Sequence, residues 1–489
     1  MIIKLSDETG FIKPYFLQTL ITLYLPCEKF SETEQGNREF YVSLQHKEGA
    51  FSAFVRLCDG QNVSQKSVCE MVETVNKQKA IILVGKAFLS AANELFGYIP
   101  PWGAMTGIRP AKNALFFMNA GMNEEQTIRF LTEEYFVEQK KAEICTKIAL
   151  HEKKIIQNLE RNSCSLYISI PFCPTRCRYC SFVTNSTDRL LALIPQYLQQ
   201  LKADLFDLSQ TISSLGLMLK SIYVGGGTPT VLNASQIEDL LSFVQANFDF
   251  KNVTEYTFEA GRPDTVTREK LEVLKQFSVD RISINTQSTN NDVLKRIGRN
   301  HTYEAYRDAY ELAREVGFRS INTDLIAGLP GEEEASFRKS LTDVIFLAPE
   351  NITIHSFSLK RASEFLSRDG ATIQTENSVM NRMLDYSYDK LEEFGYLPYY
   401  IYRQKNTAGN LENTGFSKAG HESSYNVLIM EEYHTIFAAG AGAVTKLVSS
   451  DRTKIDRIFS PKYPYEYLDK EKYSGFDTES IINFYQNKF

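Results

Sequence analysis

No early apolar run is long enough to cross a bilayer. The longest, Tyr15 to Pro26, spans 12 residues and carries Gln18, Thr19 and Thr22, against the ~20 apolar residues that a spanning helix needs. The start, Met-Ile-Ile-Lys-Leu-Ser-Asp-Glu, has no basic region followed by an apolar core, so no secretory signal is expected and the expected compartment is the cytoplasm. Positive charge is in deficit, 54 Lys and Arg against 60 Asp and Glu. That disfavours a protein that coats nucleic acid, and no nucleic-acid partner is expected. Only eight of 489 residues are cysteine, too sparse for a disulfide framework in a chain of this length. No solenoid-period repeat or low-complexity run is evident. Hydrophobic residues make up 43% and charged residues 23%, which is ordinary for packed domains and excludes global disorder.

The length predicts about three domains. In the first, residues 1–158, Phe40–Leu44 and Ala50–Leu57 flank Lys47-Glu-Gly49 and read as a hairpin. Lys79–Phe96 reads as a strand running into a helix. Pro100-Pro101-Trp102-Gly103 is a stiff loop with the only Trp, and Pro110 to about Gln157 is helical in its spacing. In the second, 159–361, short strands alternate with helices: Leu166–Ile170, Ser221–Val224, Glu255–Phe258, Arg281–Ile284, Ser320–Leu325 and Asn351–Phe357. One helix, Thr302–Val316, lines up Ala305, Tyr306, Ala309, Leu312, Ala313 and Val316 on one face. Six such units predict an α/β fold, a partial (β/α)6 barrel, between an α+β N-terminal domain and a smaller C-terminal domain, 362–489. The last opens with a helix near Val379–Phe394 and ends in glycine-rich and aromatic segments.

Five cysteines are scattered; Cys173, Cys177 and Cys180 are clustered as C-x3-C-x2-C after Leu-Tyr-Ile-Ser-Ile, the first barrel strand. Barrel active sites are built at the C-terminal ends of strands. Three thiolates can hold three irons of a [4Fe–4S] cluster and leave the fourth open to a small ligand. The alternatives are a zinc site, which would need His301 or His355 as a distant fourth ligand, and three unrelated core thiols. Val224-Gly225-Gly226-Gly227-Thr228-Pro229-Thr230 ends the second strand, where glycines let backbone approach a ligand, or simply make a turn. Glu259, Gln287 and Asp324 stand at or near the ends of the third, fourth and fifth strands. Each alone could be a surface or capping residue; together they face one mouth.

C-x3-C-x2-C after the first strand of a βα barrel, with an aromatic (Tyr179) beside the last Cys, resembles the signature of the radical S-adenosylmethionine (SAM) enzymes. That resemblance implies a [4Fe–4S] cluster whose open iron binds SAM, and one-electron cleavage of SAM to methionine and a 5′-deoxyadenosyl radical. More narrowly, Tyr167-Ile-Ser-Ile-Pro-Phe-Cys, Gly-Gly-Gly-Thr-Pro-Thr, Ile-Asn-Thr-Gln-Ser and Asp-Leu-Ile-Ala-Gly-Leu-Pro-Gly are similar to the oxygen-independent coproporphyrinogen III oxidase family. That family also contains the haem chaperone HemW, anaerobic haem-degrading methyltransferases and similar C-methyltransferases. The similarity covers about Leu166 to Lys446. It implies that Tyr167, Gly226, Gly227, Thr228, Glu259, Gln287, Arg299 and Asp324 contact SAM. Trp102-Gly-Ala-Met-Thr-Gly-Ile-Arg-Pro-Ala-Lys112 and Tyr400-Ile-Tyr-Arg-Gln-Lys-Asn-Thr-Ala-Gly-Asn-Leu-Glu-Asn resemble a longer subgroup, the HemZ type, described as coproporphyrinogen dehydrogenases.

Two departures bear on function. Phe182 stands where the oxidases carry a further Cys two residues after the third cluster Cys, which weakens transfer of their second-SAM site. Tyr425-Asn426-Val427-Leu428-Ile429-Met430 stands where the chaperones carry His-Asn-x-x-Tyr-Trp, and His421 lies four residues early; this argues against a chaperone of that design. The resemblance therefore implies oxidative decarboxylation of coproporphyrinogen III to protoporphyrinogen IX in haem biosynthesis. A hydrogen leaves a propionate β-carbon, CO2 departs, a vinyl group remains and one electron goes to an acceptor. A reducing donor such as flavodoxin or ferredoxin is the expected partner. The alternatives are ring-opening or C-methylation of a tetrapyrrole, and haem trafficking. Propionates call for cationic clamps, and Lys360, Arg361, Arg403 and Lys405 are the candidates; a solvated basic face is the other reading. Tyr399, Tyr400 and Tyr402 could wall a macrocycle or be core. Gly440-Ala-Gly442 could pack on a ligand or on a strand.

Overall fold

In the computed structural model the described residues are 1–25, 28–31, 37–180, 186–358, 377–404 and 410–486. The chain forms two compact units, one from Met1–Leu150, Glu376–Asn381 and Ile401–Asn413, the other from His151–Thr375, Arg382–Tyr400 and Thr414–Phe489.

The first unit holds a four-stranded sheet of β1 (Ile2–Asp7), β2 (Arg38–Lys47), β3 (Ala50–Asp59) and β4 (Asn62–Met71) in that order. β1 runs parallel to β2 and the rest are antiparallel. The expected hairpin is β2–β3. Lys47 pairs with Ala50, and Glu48 and Gly49 take φ of 52° and 77°, the two left-handed residues that a two-residue hairpin turn requires. Lys79–Phe96 is not a strand leading into a helix: it is helical throughout, within Lys77–Phe96. Its Ile-Ile-Leu-Val run reads as β-prone locally. However, the Asn76 side chain caps the Lys79 N–H, and Ala80, Leu83, Val84, Ala87, Phe88 and Ala91 bury one helical stripe. That stripe meets Phe40, Val42, Phe51 and Val55 of the sheet in one core.

In the second unit the six expected strands are present: β5 (Ser163–Ile170), β6 (Met218–Gly226), β7 (Glu255–Glu259), β8 (Arg281–Ser283), β9 (Ser320–Ala327) and β10 (Asn351–Ser356). They pair in parallel, in sequence order. β5 is buried along nearly its whole length, as parallel strands covered on both faces are. The helices between them include Ile194–Ser214, Ala234–Asn247, Arg268–Gln276, Tyr303–Val316 and Glu334–Leu347. The sheet does not close on itself. β5 pairs onward with β13 (Thr435–Ala439), followed by β14 (Val444–Val448) and β15 (Ile455–Phe459); β10 pairs with β12 (Glu412–Ser417), followed by β11 (Leu397–Arg403). The described strands beyond residue 376 extend the same sheet at both edges. Among the described residues no helix is long and apolar enough to cross a membrane.

Candidate functional site

The site forms where β5 to β9 end. From Ile170 the chain passes through Pro171 and Phe172 to Cys173, and the end of β6 grips it there. The Gly227 N–H donates to Ile170 O at 2.8 Å and the Thr228 N–H to Phe172 O at 2.7 Å. Gly226 has φ of 114°, and a Cβ on Gly227 would collide with the Phe172 carbonyl. Gly226 and Gly227 are therefore demanded by backbone meeting backbone, and Gly225 by the Tyr223 and Glu259 side chains beside it. Further on, the Arg178 N–H donates to Ile297 O at 3.0 Å and the Cys180 N–H to Cys177 O at 3.1 Å.

The three sulfurs sit close enough to perturb one another. Burial pushes the Cys173 thiol up to about 12. The Thr228 hydroxyl, 3.2 Å away, pulls it down, and charge on Cys180 and Cys177 pushes it up again. A Cys173 sulfur this reluctant to ionise alone fits a polycation that replaces the proton, as iron does. Among the described residues no three His, Cys, Asp or Glu side chains converge as around a single ion; a cluster distributes its thiolates over separate irons. Neither proposed zinc partner lies on the sulfurs. His355 Nε2 faces Asp324 at 3.5 Å, and His301 is buried beside Arg299 and Arg262, which with burial itself press it down to about 3.

Two buried guanidinium groups flank the loop. Arg299 Nη1 donates to Asn285 O at 2.8 Å and Gly261 O at 3.1 Å, and Nη2 to the Tyr179 hydroxyl at 3.2 Å. Arg262, which follows Glu259 by three residues, pairs with Asp264 and reaches Cys177 Sγ at 3.5 Å. Sequence reasoning missed Arg262: it lies three residues after Glu259, in Glu259-Ala-Gly-Arg262-Pro, and nothing local told it from a capping arginine.

The carboxylates lie beside a stack of tyrosines. Glu259 accepts a 2.6 Å hydrogen bond from the Tyr223 hydroxyl. Burial pushes its carboxyl up to about 7; the Tyr223 hydroxyl and the Gly226 N–H pull it down, and the charge of Asp324 adds to the rise. A Cβ on Gly225 would lie 3.0 Å from the Glu259 carboxyl. Asp324 behaves oppositely. Burial resists its ionisation, yet hydrogen bonds from His355, Asn322 and Thr353 hold it below the usual carboxylate range. Gln287 takes φ of 72°, held by main-chain bonds to Asp324 and Ile326, and its buried Oε1 has no protein partner. Such a backbone in a non-glycine residue marks a constrained position. Tyr223 stacks on Tyr425 at 4.5 Å between centroids and on Tyr167 at 6.1 Å. Tyr425 is brought there by helix Ser424–Glu431, whose first turn is fixed by Glu255: Ser424 N–H to Oε2 at 2.6 Å and Ser423 Oγ to Oε1 at 2.7 Å. The presence of Tyr223 and Tyr425 beside the carboxyls was also not anticipated.

The structure thus brings together Tyr167, Cys173, Cys177, Cys180, Gly226, Gly227, Thr228, Glu259, Gln287, Arg299 and Asp324. Lys360, Arg361, Lys405 and Phe182 lie outside the described residues. Arg403 belongs to the first unit. It is buried over the Trp102 ring at 5.3 Å, and its guanidinium donates to the carbonyls of Met105 and of Asn410, the latter at 3.0 Å; burial presses it down to about 10. Glu412 in the same unit takes Trp102 Nε1 at 2.6 Å and Lys141 Nζ at 2.7 Å. Trp102 and Met105 thus meet Arg403, Asn410 and Glu412, far along the sequence, in this network. Tyr399 and Tyr400 are core. Gly440 packs on Ser169 of β5 and on the Tyr197 hydroxyl, so the Gly440-Ala-Gly442 strip lies on a strand.

Residues 167–344 match the model of the radical SAM superfamily. The chain is 38% identical over 401 residues to the oxygen-independent coproporphyrinogen-III oxidase-like protein HemZ of Bacillus subtilis, covering 81% of this chain and 80% of that one. It is 31% identical over 311 residues to the heme chaperone HemW of the same organism, 62% of this chain and 77% of that one. Among solved structures, coproporphyrinogen III oxidase HemN from Escherichia coli matches with a TM-score of 0.52 at 22% identity, over 66% of this chain and 71% of that one.

Proposed function

The chain belongs to the oxygen-independent coproporphyrinogen-III oxidase-like family of radical SAM proteins, which work with a [4Fe–4S] cluster and SAM, and from this we propose that it oxidatively decarboxylates coproporphyrinogen III. Cys173, Cys177 and Cys180 hold three irons of the cluster. Tyr167, Gly226, Gly227, Thr228, Glu259, Gln287, Arg299 and Asp324 hold SAM. A cluster and SAM held there would supply the one-electron chemistry needed to remove a hydrogen from a propionate β-carbon.

The observation that carries this reading is the pair of carboxyls with opposite settings on one mouth. Asp324 is held ionised and accepts from ribose hydroxyls without a proton being removed first. Glu259, near 7 when no cation faces it, ionises against an ammonium and so selects the amino end of SAM. Arg299 supplies the complementary charge for the SAM carboxylate. Lys360, Arg361 and Lys405 are proposed to meet the substrate propionates; Arg403, engaged on main-chain carbonyls, serves instead to fasten the Trp102 loop. A low-potential one-electron donor of the flavodoxin or ferredoxin class supplies the electron. Haem trafficking is disfavoured because Tyr425, at the place of the chaperones' histidine, is packed into the tyrosine stack.

The test is an anaerobic assay of reconstituted protein with SAM, reductant and coproporphyrinogen III. CO2 and vinyl product support the reading. Transfer of a methyl group to the macrocycle, or an opened ring, would assign the second class of tetrapyrrole chemistry, and neither SAM cleavage nor product would reject both.

A further inference from the structure

Arg262 places a buried positive charge on one cluster sulfur. Its Nη1 lies 3.5 Å from Cys177 Sγ and 3.4 Å from Thr175 O, and its Nη2 donates to Thr175 Oγ1 at 3.0 Å. Asp264 takes Nε at 3.0 Å and Nη2 at 2.9 Å. This fork fixes the guanidinium plane and leaves Nη1 directed at the cysteine loop. The side chain is 3% exposed, against 26% for Asp264, so water screens the carboxylate more than the cation.

We propose that Arg262 tunes the reduction potential of the [4Fe–4S] cluster, by setting a fixed cation and an N–H donor against the Cys177 thiolate. The inference rests on the assignment of the three cysteines to the cluster. With three thiolates, an oxidised [4Fe–4S]2+ core has a net charge of −1. One electron from a low-potential donor takes it to −2; no bond forms or breaks and no proton moves. A fixed cation stabilises the −2 state more than the −1 state, and hydrogen bonds to cluster sulfurs act in the same direction. Arg299 also bears electrostatically on Cys177, but its donors go to Gly261, Asn285 and Tyr179. Arg262 is a positioning residue for electron entry.

The experiment is a dithionite titration of the anaerobically reconstituted full chain without SAM, followed by electron paramagnetic resonance, on the parent, Arg262→Gln and Arg262→Lys. Arg262→Gln is expected to keep about four irons and to shift the reduction equilibrium ~10-fold toward the oxidised form, a potential lower by about 59 mV for one electron. Arg262→Lys, which keeps the charge but not the fork, should fall between. A full cluster with unchanged potential in Arg262→Gln overturns the inference and leaves the cluster assignment standing. Loss of iron from both variants, with iron retained in the parent, makes Arg262 a tie for the loop and also overturns tuning. A parent that takes up no cluster overturns the inference together with the reading beneath it.

Discussion

SAM affinity should fall as pH drops below about 7, and Glu259 is the group responsible. Without SAM, burial and the charge of Asp324 hold its carboxyl near 7, so at lower pH a growing fraction of the protein carries it protonated. The SAM ammonium needs the carboxylate, and an α-amino group stays charged below pH 7. Binding must therefore first expel the Glu259 proton, and apparent affinity is reduced by the fraction of protein in the competent form. That fraction is about nine-tenths at pH 8, one half at pH 7 and one-tenth at pH 6. Between pH 7 and pH 6, where the α-amino group stays charged, the dissociation constant should thus rise ~5-fold, about 1 kcal/mol. The Tyr223 hydroxyl opposes the rise in the pKa, so Tyr223→Phe should move the midpoint to higher pH. Glu259→Gln should bind weakly and independently of pH. The assay is anaerobic equilibrium binding of SAM to the reconstituted protein at each pH, with the cluster spectrum checked throughout. A flat profile in the parent between pH 6 and pH 8, or a slope that survives Glu259→Gln, would refute the assignment of Glu259 to the ammonium.

Replacing Cys173, Cys177 and Cys180 together by Ala should abolish cluster uptake and SAM cleavage, read as iron content and methionine release; retained iron would sink the assignment. Gly227→Ala should displace the cysteine loop, because its Cβ has no room beside the Phe172 carbonyl; iron per chain after reconstitution should drop while circular dichroism keeps the parent's secondary structure. Lys141→Met strands the Glu412 carboxylate, both residues being 0% exposed. Breaking such a pair typically costs about 3–5 kcal/mol, so the full chain should show a lowered first unfolding transition, whereas an unchanged transition would mean that Trp102 suffices as partner.

The alternation of short strands and amphipathic helices is a local property, and it was legible because each βα unit repeats the same burial pattern. Each of the six barrel strands therefore overlaps its expected range. C-x3-C-x2-C was legible for a related reason: the thiols lie within one loop, so their spacing alone limits how far apart they can be. Lys77–Phe96 shows where local signals compete. Its β-prone run was outvoted by the helical stripe that the sheet offered to bury, a decision made by packing between elements far apart in sequence.

Strand order, the place of the cysteine loop at a strand end and the residue types at the mouth can be read along the chain. The settings of those residues come from folding. Glu259 and Asp324 are both single acids at strand ends, and opposite ionisation comes from what surrounds each: burial and the charge of Asp324 outweigh the Tyr223 hydroxyl for one, while His355, Asn322 and Thr353 outweigh burial for the other. Arg262 becomes a neighbour of Cys177 only when β7 lies beside the loop that follows β5, 85 residues earlier. Arg403, a cation like the other clamp candidates in the sequence, is claimed by the carbonyls of Met105 and Asn410 and the ring of Trp102. Charge and burial act through space, and chain order carries them only where neighbours in sequence are also neighbours in the fold.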